Sequence, residues 1–175
     1  MSTTKWIIDP AHSEVTFKVK HLMISTVTGN FKVFNGEAET ESEDFNHVKT
    51  IKFQADVNSI NTNNEQRDEH LKSVDFFAAE NHPEIKFEAT NFDANKGEII
   101  GDLTIRGKSK PVTLDVEFGG VVTDGYGQTK AGLTVTGKIS RKEFGLTWND
   151  VTEAGSIVVS DQVRMSAEVQ LIKQA

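Results

Sequence analysis

The 175-residue chain contains no cysteine, few prolines and no apolar run long enough to cross a membrane as a helix. Without cysteine, neither a disulfide framework nor thiol chemistry is available. Basic residues are in the minority, with 19 Lys and Arg against 26 Asp and Glu and a net charge of −7. Because nucleic-acid backbones and anionic membranes are bound by clustered Lys and Arg, we expect neither as the main partner. From the missing apolar run we expect no integral membrane segment.

The motifs of common enzyme and metal sites are missing as well. The sequence has no G-x-S-x-G, no P-loop and no G-x-G-x-x-G. Its five histidines lack the spacing that places two imidazoles of one element on a single metal ion. We therefore predict no catalytic residue and no metal ligand.

The N-terminal region reaches Asp9 before any apolar stretch long enough for a secretion signal. We expect a cytoplasmic protein, and a periplasmic one only if a leader has been removed. The length suits one all-β domain spanning residues 1–175, because barrels and sandwiches often reach this size without dividing.

What the chain does have is a strict alternation of apolar and polar residues in seven segments. The inward-facing rows occupy residues 15–21, 51–57, 85–89, 99–105, 112–118, 131–139 and 163–171. Turn signals at hairpin spacing separate them, and a further strand pair surrounds Asn35-Gly36, so we predict an antiparallel sheet of eight or nine strands. A closed barrel of about eight strands either fills itself with side chains or holds one small ligand.

Small residues in five of the inward rows favour the second possibility. They withdraw volume from the interior without adding polarity, which predicts an apolar cavity. These residues are Ala55, Ala89, Gly101, Ala131, Gly137 and Ala167.

One segment departs from the alternation. Thr62-Asn63-Asn64-Glu65 fits a capping box, which predicts a short helix over residues 63–74, anchored by Leu71 and Val74 near the barrel mouth. Arg67 and His70 fall on the same side as these anchors; alternatively, the helix is solvated and Arg67 pairs with a neighbouring carboxylate.

His21 ends an inward row. It either places a polar group at the mouth of the cavity or is a buried histidine bonded to a backbone carbonyl.

The connection over residues 144–160 is long for a hairpin and carries Phe144 and Trp148. We predict that it forms a lid over one end of the barrel, with a permanently packed Ω-like loop as the alternative.

A series of short motifs, in a fixed order, resembles the YceI-like family of bacterial polyisoprenoid-binding proteins with a lipocalin-like barrel. The resemblance runs from Trp6 to about Leu171. The motifs are Asp9-Pro10-Ala11-His12-Ser13, Lys20-His21-Leu22-Met23-Ile24-Ser25, Ser59-Ile60-Asn61-Thr62, Arg67-Asp68, His70-Leu71-Lys72-Ser73, Asp75-Phe76-Phe77, Pro83-Glu84-Ile85-Lys86-Phe87, Gly101-Asp102-Leu103-Thr104-Ile105-Arg106-Gly107, Lys110-Pro111-Val112, Arg141 and Phe144-Gly145-Leu146.

The resemblance implies a homodimer and a long apolar ligand such as a polyisoprenoid, an isoprenoid quinone, or a fatty acid or amide, which the barrel carries or sequesters. No cofactor is expected besides such a bound lipid. Two alternatives remain open. One is an enzyme acting on an isoprenoid or quinone head group, with His70 or His21 as general base and Arg67 steadying negative charge. The other is a fully packed barrel that only mediates protein contacts.

We predict three groups of ligand-binding residues. The cavity walls are Phe17, Val19, Phe53, Val57, Phe87, Leu103, Ile105, Leu114 and Leu133. The mouth is formed by His21, Ile60, Arg67, His70, Leu71, Phe76 and Phe77, and the lid carries Phe144 and Trp148.

Overall fold

The computed structural model of the protein describes residues 3–22, 24–42, 45, 47–93, 96–148 and 159–174. Within these ranges the chain forms eleven β-strands and one α-helix. The elements are β1 Thr4–Ile8, β2 Glu14–His21, β3 Ser25–Phe31, β4 Phe34–Thr40, β5 Val48–Asp56, β6 Ile60–Asn61, α1 Glu65–Lys72, β7 Glu84–Asp93, β8 Glu98–Ile105, β9 Lys108–Thr123, β10 Thr129–Ser140 and β11 Val159–Lys173.

All strands belong to one antiparallel sheet that closes on itself. The ring runs β1, β4, β5, β7, β8, β9, β10 and β11, and β11 pairs again with β1. Strands β2, β3 and β6 continue the wall where β1 ends. β11 pairs with β1 along one part of its length and with β2 along the other, β2 pairs with β3, and β3 pairs with β6. The predicted closed barrel of about eight strands is confirmed.

The wall of the barrel is interrupted where β1 passes into β2 and β4 follows β3. Pairing between β1 and β4 ends at Ile7 and Glu37, and pairing between β2 and β3 resumes at Thr16 and Asn30. Residues 8–15 and 31–36, all of them described, form no strand pairs with each other. We call this unpaired line the seam.

One side of the seam is hydrogen-bonded to β11, and the other to the 3-10 helix Val57–Ser59. The Asp9 amide donates to the Gln170 carbonyl at 2.8 Å, and the Lys32 amide donates to the Ser59 carbonyl at 3.2 Å. A 3-10 helix, Pro10–His12, occupies the break on one side, and the Asp9 carboxylate caps it by accepting from the Ala11 amide. An outer cleft of about 490 Å³ lies along the seam.

The barrel end remote from α1 is closed by aromatic packing. Trp6 is fully buried, and its Nε1–H donates to Thr40 Oγ1 at 3.1 Å. The Phe45 ring lies 4.8 Å from the Trp6 ring and 5.4 Å from the Phe118 ring, measured between centroids. Phe118, predicted to face the interior, pairs with the cavity-lining residue Leu133, yet it is 44% exposed. The pairing of β8 with β9 stops at Asp115, and beyond it the Val116 amide donates to the Gly97 carbonyl at 2.7 Å, so no strand of the described chain pairs with the later residues of β9 on that side.

Two inward glycines allow aromatic rings to lie over a neighbouring strand. A Cβ at Gly101 would lie 2.8 Å from Phe87 Cζ, and one at Gly29 would lie 2.3 Å from Phe17 Cζ. The space withdrawn at Gly101 is therefore taken by the ring of Phe87 rather than added to a cavity. This corrects the prediction that all six small inward residues enlarge the interior.

Helix α1 is shorter than predicted and begins differently. It spans Glu65–Lys72, and its N-cap is Asn64, whose side chain accepts from the Arg67 amide. The predicted capping box starting at Thr62 is wrong, because the Thr62 hydroxyl is bonded to Asp68. Val74, expected to anchor the helix, is 70% exposed. No helix in the described part of the chain has the length and apolarity that crossing a membrane would require.

Candidate functional site: the cavity inside the barrel

The barrel encloses an apolar cavity of about 480 Å³. This volume lies within the range of roughly 300–1,000 Å³ that small-molecule sites occupy. The lining reaches from Phe45 near the closed end to His70 and Trp148 beside α1. The cavity therefore extends along the barrel and has two different ends.

The structure contains the predicted cavity, because in most of the predicted strands the residues expected to face inward do line it. Three of the six small residues line it, namely Ala55, Gly137 and Ala167. Ala89 and Ala131 are buried in the core and do not line it.

Fifteen of the eighteen predicted site residues line this cavity. They are Phe17, Val19, His21, Phe53, Arg67, His70, Leu71, Phe76, Phe77, Phe87, Leu103, Ile105, Leu114, Leu133 and Trp148.

The other three predicted residues are buried in the core away from the cavity lining: Val57, Ile60 and Phe144. Val57 and Phe144 belong to 3-10 helices, Val57–Ser59 and Arg141–Phe144, where the two-residue alternation of a strand no longer applies. Ile60 follows the first of these helices directly. For Val57 the strand alternation was extended past the end of β5, and that extension was wrong. Ile60 and Phe144 were predicted at the mouth and on the lid, but both side chains are buried in the core.

An aromatic group covers the helix end of the cavity. The His70 ring meets the rings of Trp148 and Phe76 edge-on, at centroid distances of 4.7 and 5.1 Å. Trp148 and Phe76 are themselves 5.2 Å apart. Nε2 of His70 lies 2.9 Å from the Asp75 carboxylate, which fixes the imidazole between the two rings. Such edge-to-face contacts and one polar bond hold the group in a defined arrangement.

Arg67 is held by Thr62 rather than by a carboxylate. Its Nε donates to Thr62 Oγ1 at 2.8 Å and its Nη2 donates to the Thr62 carbonyl at 2.6 Å. The Thr62 hydroxyl in turn donates to the Asp68 carboxylate at 2.6 Å, and the Thr62 amide donates to the same oxygen at 2.9 Å. Arg67 thus forms no direct ion pair of the kind considered as the alternative. Thr62 instead links the Arg67 guanidinium to the Asp68 carboxylate through hydrogen bonds.

Arg141, which sequence reasoning did not single out as a site residue, lies at the same end. It is only 3% exposed and lines the cavity. Its N–H groups donate to four backbone carbonyls, those of Leu146, Trp148, Val159 and Ser160, at 2.6–3.1 Å. Burial lowers the pKa of Arg141, and the nearby charge of Asp161 opposes this shift. The sequence signal was weak, because the partners are backbone carbonyls, which every residue type carries.

These bonds bear on the predicted lid over residues 144–160. Residues 149–158 lie outside the described part of the chain. Of the described residues, Phe144 and Leu146 are buried and the carbonyls of Leu146 and Trp148 are tied to Arg141. Arg106 adds a bridge, since its Nη1 donates to the carbonyls of Phe76 and Gly145.

Asp161 is the acidic neighbour of this region. Burial alone would raise the pKa of its carboxyl, but hydrogen bonds from the Ser140 hydroxyl and the Lys142 amide, with the charges of Lys142 and Arg141, hold it below its ordinary value. Across the ranges the structure describes, no three His, Asp or Glu side chains gather as a metal-binding group.

The fold and the site define an eight-stranded antiparallel barrel with an elongated apolar cavity. A family profile described as a YceI-like domain matches residues 6–171. The chain belongs to the YceI-like family, as the sequence motifs predicted.

Relatives support this assignment over nearly the whole chain. A UPF0312 protein of Staphylococcus epidermidis is 37% identical over 170 residues, covering 95% of this chain and 96% of its own. A UPF0312 protein of Staphylococcus aureus strain N315 is 39% identical with the same coverage.

Solved structures show the same fold. The YceI protein of Campylobacter jejuni has a TM-score of 0.76 and 34% identity, and the alignment covers 89% of this chain and 90% of that one. A polyisoprenoid binding domain from Saccharophagus degradans has a TM-score of 0.67 at 14% identity, covering 97% and 98%. That second similarity concerns the fold alone.

Proposed function

We propose that this protein binds a long-chain apolar ligand, namely a polyisoprenoid, an isoprenoid quinone, or a fatty acid or amide, and carries or sequesters it. The observation that carries the proposal is the elongated cavity lined by apolar side chains of the barrel strands. A hydrocarbon ligand has no polar groups that would lose hydrogen bonds to water when it enters this lining, so its burial carries no such penalty.

The energetics require a long ligand. Each buried methylene contributes about 0.8 kcal/mol, so ten methylenes supply roughly 8 kcal/mol before costs. Association alone costs an estimated 4 kcal/mol or more in lost translational and rotational freedom. Short chains therefore bind weakly, and affinity should rise roughly fourfold per added methylene until the cavity is filled.

Native mass spectrometry of protein purified from its host tests the proposal. We expect a retained apolar molecule that organic extraction releases. A chain-length series of fatty acids, added to extracted protein, should show the rise in affinity and then a plateau. Absence of any retained ligand together with no binding at any chain length would overturn the proposal.

The same measurements address two further expectations. We propose a homodimer, which rests on the family resemblance, and the native mass reads it directly. We also propose a binding protein rather than an enzyme. Prolonged incubation with the extracted ligand should then leave the ligand's mass unchanged, and a new product mass would refute this part.

A further inference from the structure

We infer that the cavity selects long-chain ligands with an acidic head group, a carboxylate or a phosphate, and that this head group lies at the end beside α1. The inference rests on the proposed function and adds the polarity and the orientation of the ligand.

The first argument is the sign of the charges along the lining. The whole chain is acidic, with a net charge of −7. Around the helix end, however, the ionisable lining residues are basic: His21, Arg67, His70 and Arg141, together with Lys20, which is exposed on the outward row of β2. Glu37 is the single carboxylate residue in the lining formed by described residues, and its side chain lies 3.2 Å from Lys5 Nζ, a partner outside that lining.

The second argument is the burial of Arg141. Its contacts are backbone carbonyls, which satisfy its N–H groups but carry no net charge. Asp161 interacts with this cation and also accepts from Ser140 Oγ and the Lys142 amide. A buried cation beside an apolar space acts through a low dielectric, so its field extends into the cavity more strongly than it would through water.

The third argument is that the acidic groups beside α1 are already engaged. Asp68 accepts two bonds from Thr62, and Asp75 lies against His70 Nε2. The bonds from Arg67 to Thr62 fix its guanidinium beside the cavity before any ligand arrives. Arginine in a fixed orientation is well suited to carboxylate and phosphate oxygens.

The opposite end of the cavity determines the orientation. Phe45, Val48, Ile51, Phe92 and Ile99 line that region. These side chains are apolar. The lining beside Ile51 also includes Lys52 and Glu37, which are register partners of opposite sign on β5 and β4, so a hydrocarbon tail is favoured there and a net charge is not. The head group then takes the end that carries Arg67 and Arg141.

The test compares four ligands with the same 16-carbon chain at pH 8: hexadecanoate, hexadecyl phosphate, hexadecanol and hexadecylamine. Competition with a fluorescent fatty probe, below the concentrations at which these lipids aggregate, gives each affinity. We expect the two acids to bind roughly tenfold or more tightly than the alcohol, because a charge-assisted bond is added to equal tails. The amine should bind most weakly. The ratio of carboxylate to phosphate affinity separates the two acidic classes.

Arg67→Gln should lower the ratio of acid to alcohol affinity severalfold, with Arg141 supplying the preference that is left. Lys138→Gln, on an exposed outward position of β10, is the matched control for the loss of one positive charge and should keep the wild-type ratio. If Arg67→Gln does not fold, the affinities of the wild-type protein for the four lipids still test the preference for an acidic head group.

The outcomes separate this inference from the proposed function. Equal affinities for all four lipids, or tightest binding of the amine, would refute the acidic head group while leaving a lipid-binding barrel. An Arg67→Gln ratio equal to that of wild type would refute the role of this residue. Failure of all four lipids to bind would refute the proposed function itself.

Discussion

Filling the cavity from one wall should abolish ligand binding without unfolding the protein. Ala167 lies on β11 opposite Val15 and Val135 in the two neighbouring strands, and all three line the cavity. Ala167 is also half-buried, because the cavity leaves room above it. In Ala167→Phe the ring enters that room. If it displaces roughly four methylenes of a bound tail, the loss is about 3 kcal/mol, or more than 100-fold in Kd.

Ala55→Phe is the matched comparison. Ala55 also lines the cavity, but it is only 2% exposed and pairs with Phe34 and Ile85. A ring at this packed position should cost about 1–3 kcal/mol of unfolding free energy, since it forces its neighbours to move.

Titration with a fluorescent fatty acid and thermal unfolding of both variants measure the two effects. We expect Ala167→Phe to lose binding with its melting temperature nearly unchanged, and Ala55→Phe to melt lower by roughly 2–4 °C for each kcal/mol lost. Unaltered binding by Ala167→Phe, or cooperative unfolding of that variant at much lower temperature, would show that position 167 does not face usable space.

Three other predictions concern the stability of the barrel. Gly101→Ala should lower the unfolding free energy, measured in urea, by about 1–3 kcal/mol, because its Cβ would lie 2.5 Å from a backbone oxygen. Gly137→Ala should lower it less, because the closest contact of its Cβ is the movable end of a leucine side chain. Equal losses of unfolding free energy in the two variants would contradict this reasoning. Arg141→Lys should lower the unfolding free energy by at least about 2 kcal/mol, since an ammonium cannot serve four carbonyls in a planar fork; an unchanged urea midpoint would argue against it. The pKa of Asp161 is lower in the folded than in the unfolded protein, so its carboxylate stabilises the fold above the ordinary pKa of an aspartate and loses this effect as pH falls through the folded value. Asp161→Asn should therefore be less stable than wild type at pH 7 and approach wild-type stability below about pH 4. Thermal unfolding across pH measures this difference, and a difference that stays constant would refute the assignment.

The barrel and most of its cavity were predictable because both follow from one local rule. Alternation with period two assigns a face to each residue of a strand, and it placed Phe17, Leu103 and Leu133 correctly along the lining. The same rule failed at Val57, where a 3-10 helix replaces the strand directly after Asp56.

The electrostatic part of the site could not be predicted in this way. The environment of Arg141 depends on carbonyls up to 19 positions away in the chain, and backbone carbonyls leave no mark in a sequence. The connection of Arg67 to Asp68 through Thr62 likewise depends on where α1 begins, and the residues at 62–65 fitted two different caps. The sequence pattern thus predicted the shape of the cavity better than its polarity.

The seam makes the mechanical resistance of the wall unequal around its circumference. Val15 and Phe31 line both the outer cleft and the inner cavity, so two side chains separate these spaces at that point. Parting the wall there exposes those side chains, at about 1.5–3 kcal/mol each, and breaks no rung of a strand ladder. Parting any fully paired neighbours, such as β10 and β11, also breaks a row of backbone hydrogen bonds. The barrel is consequently weakest along its side, on a line that runs with the strands.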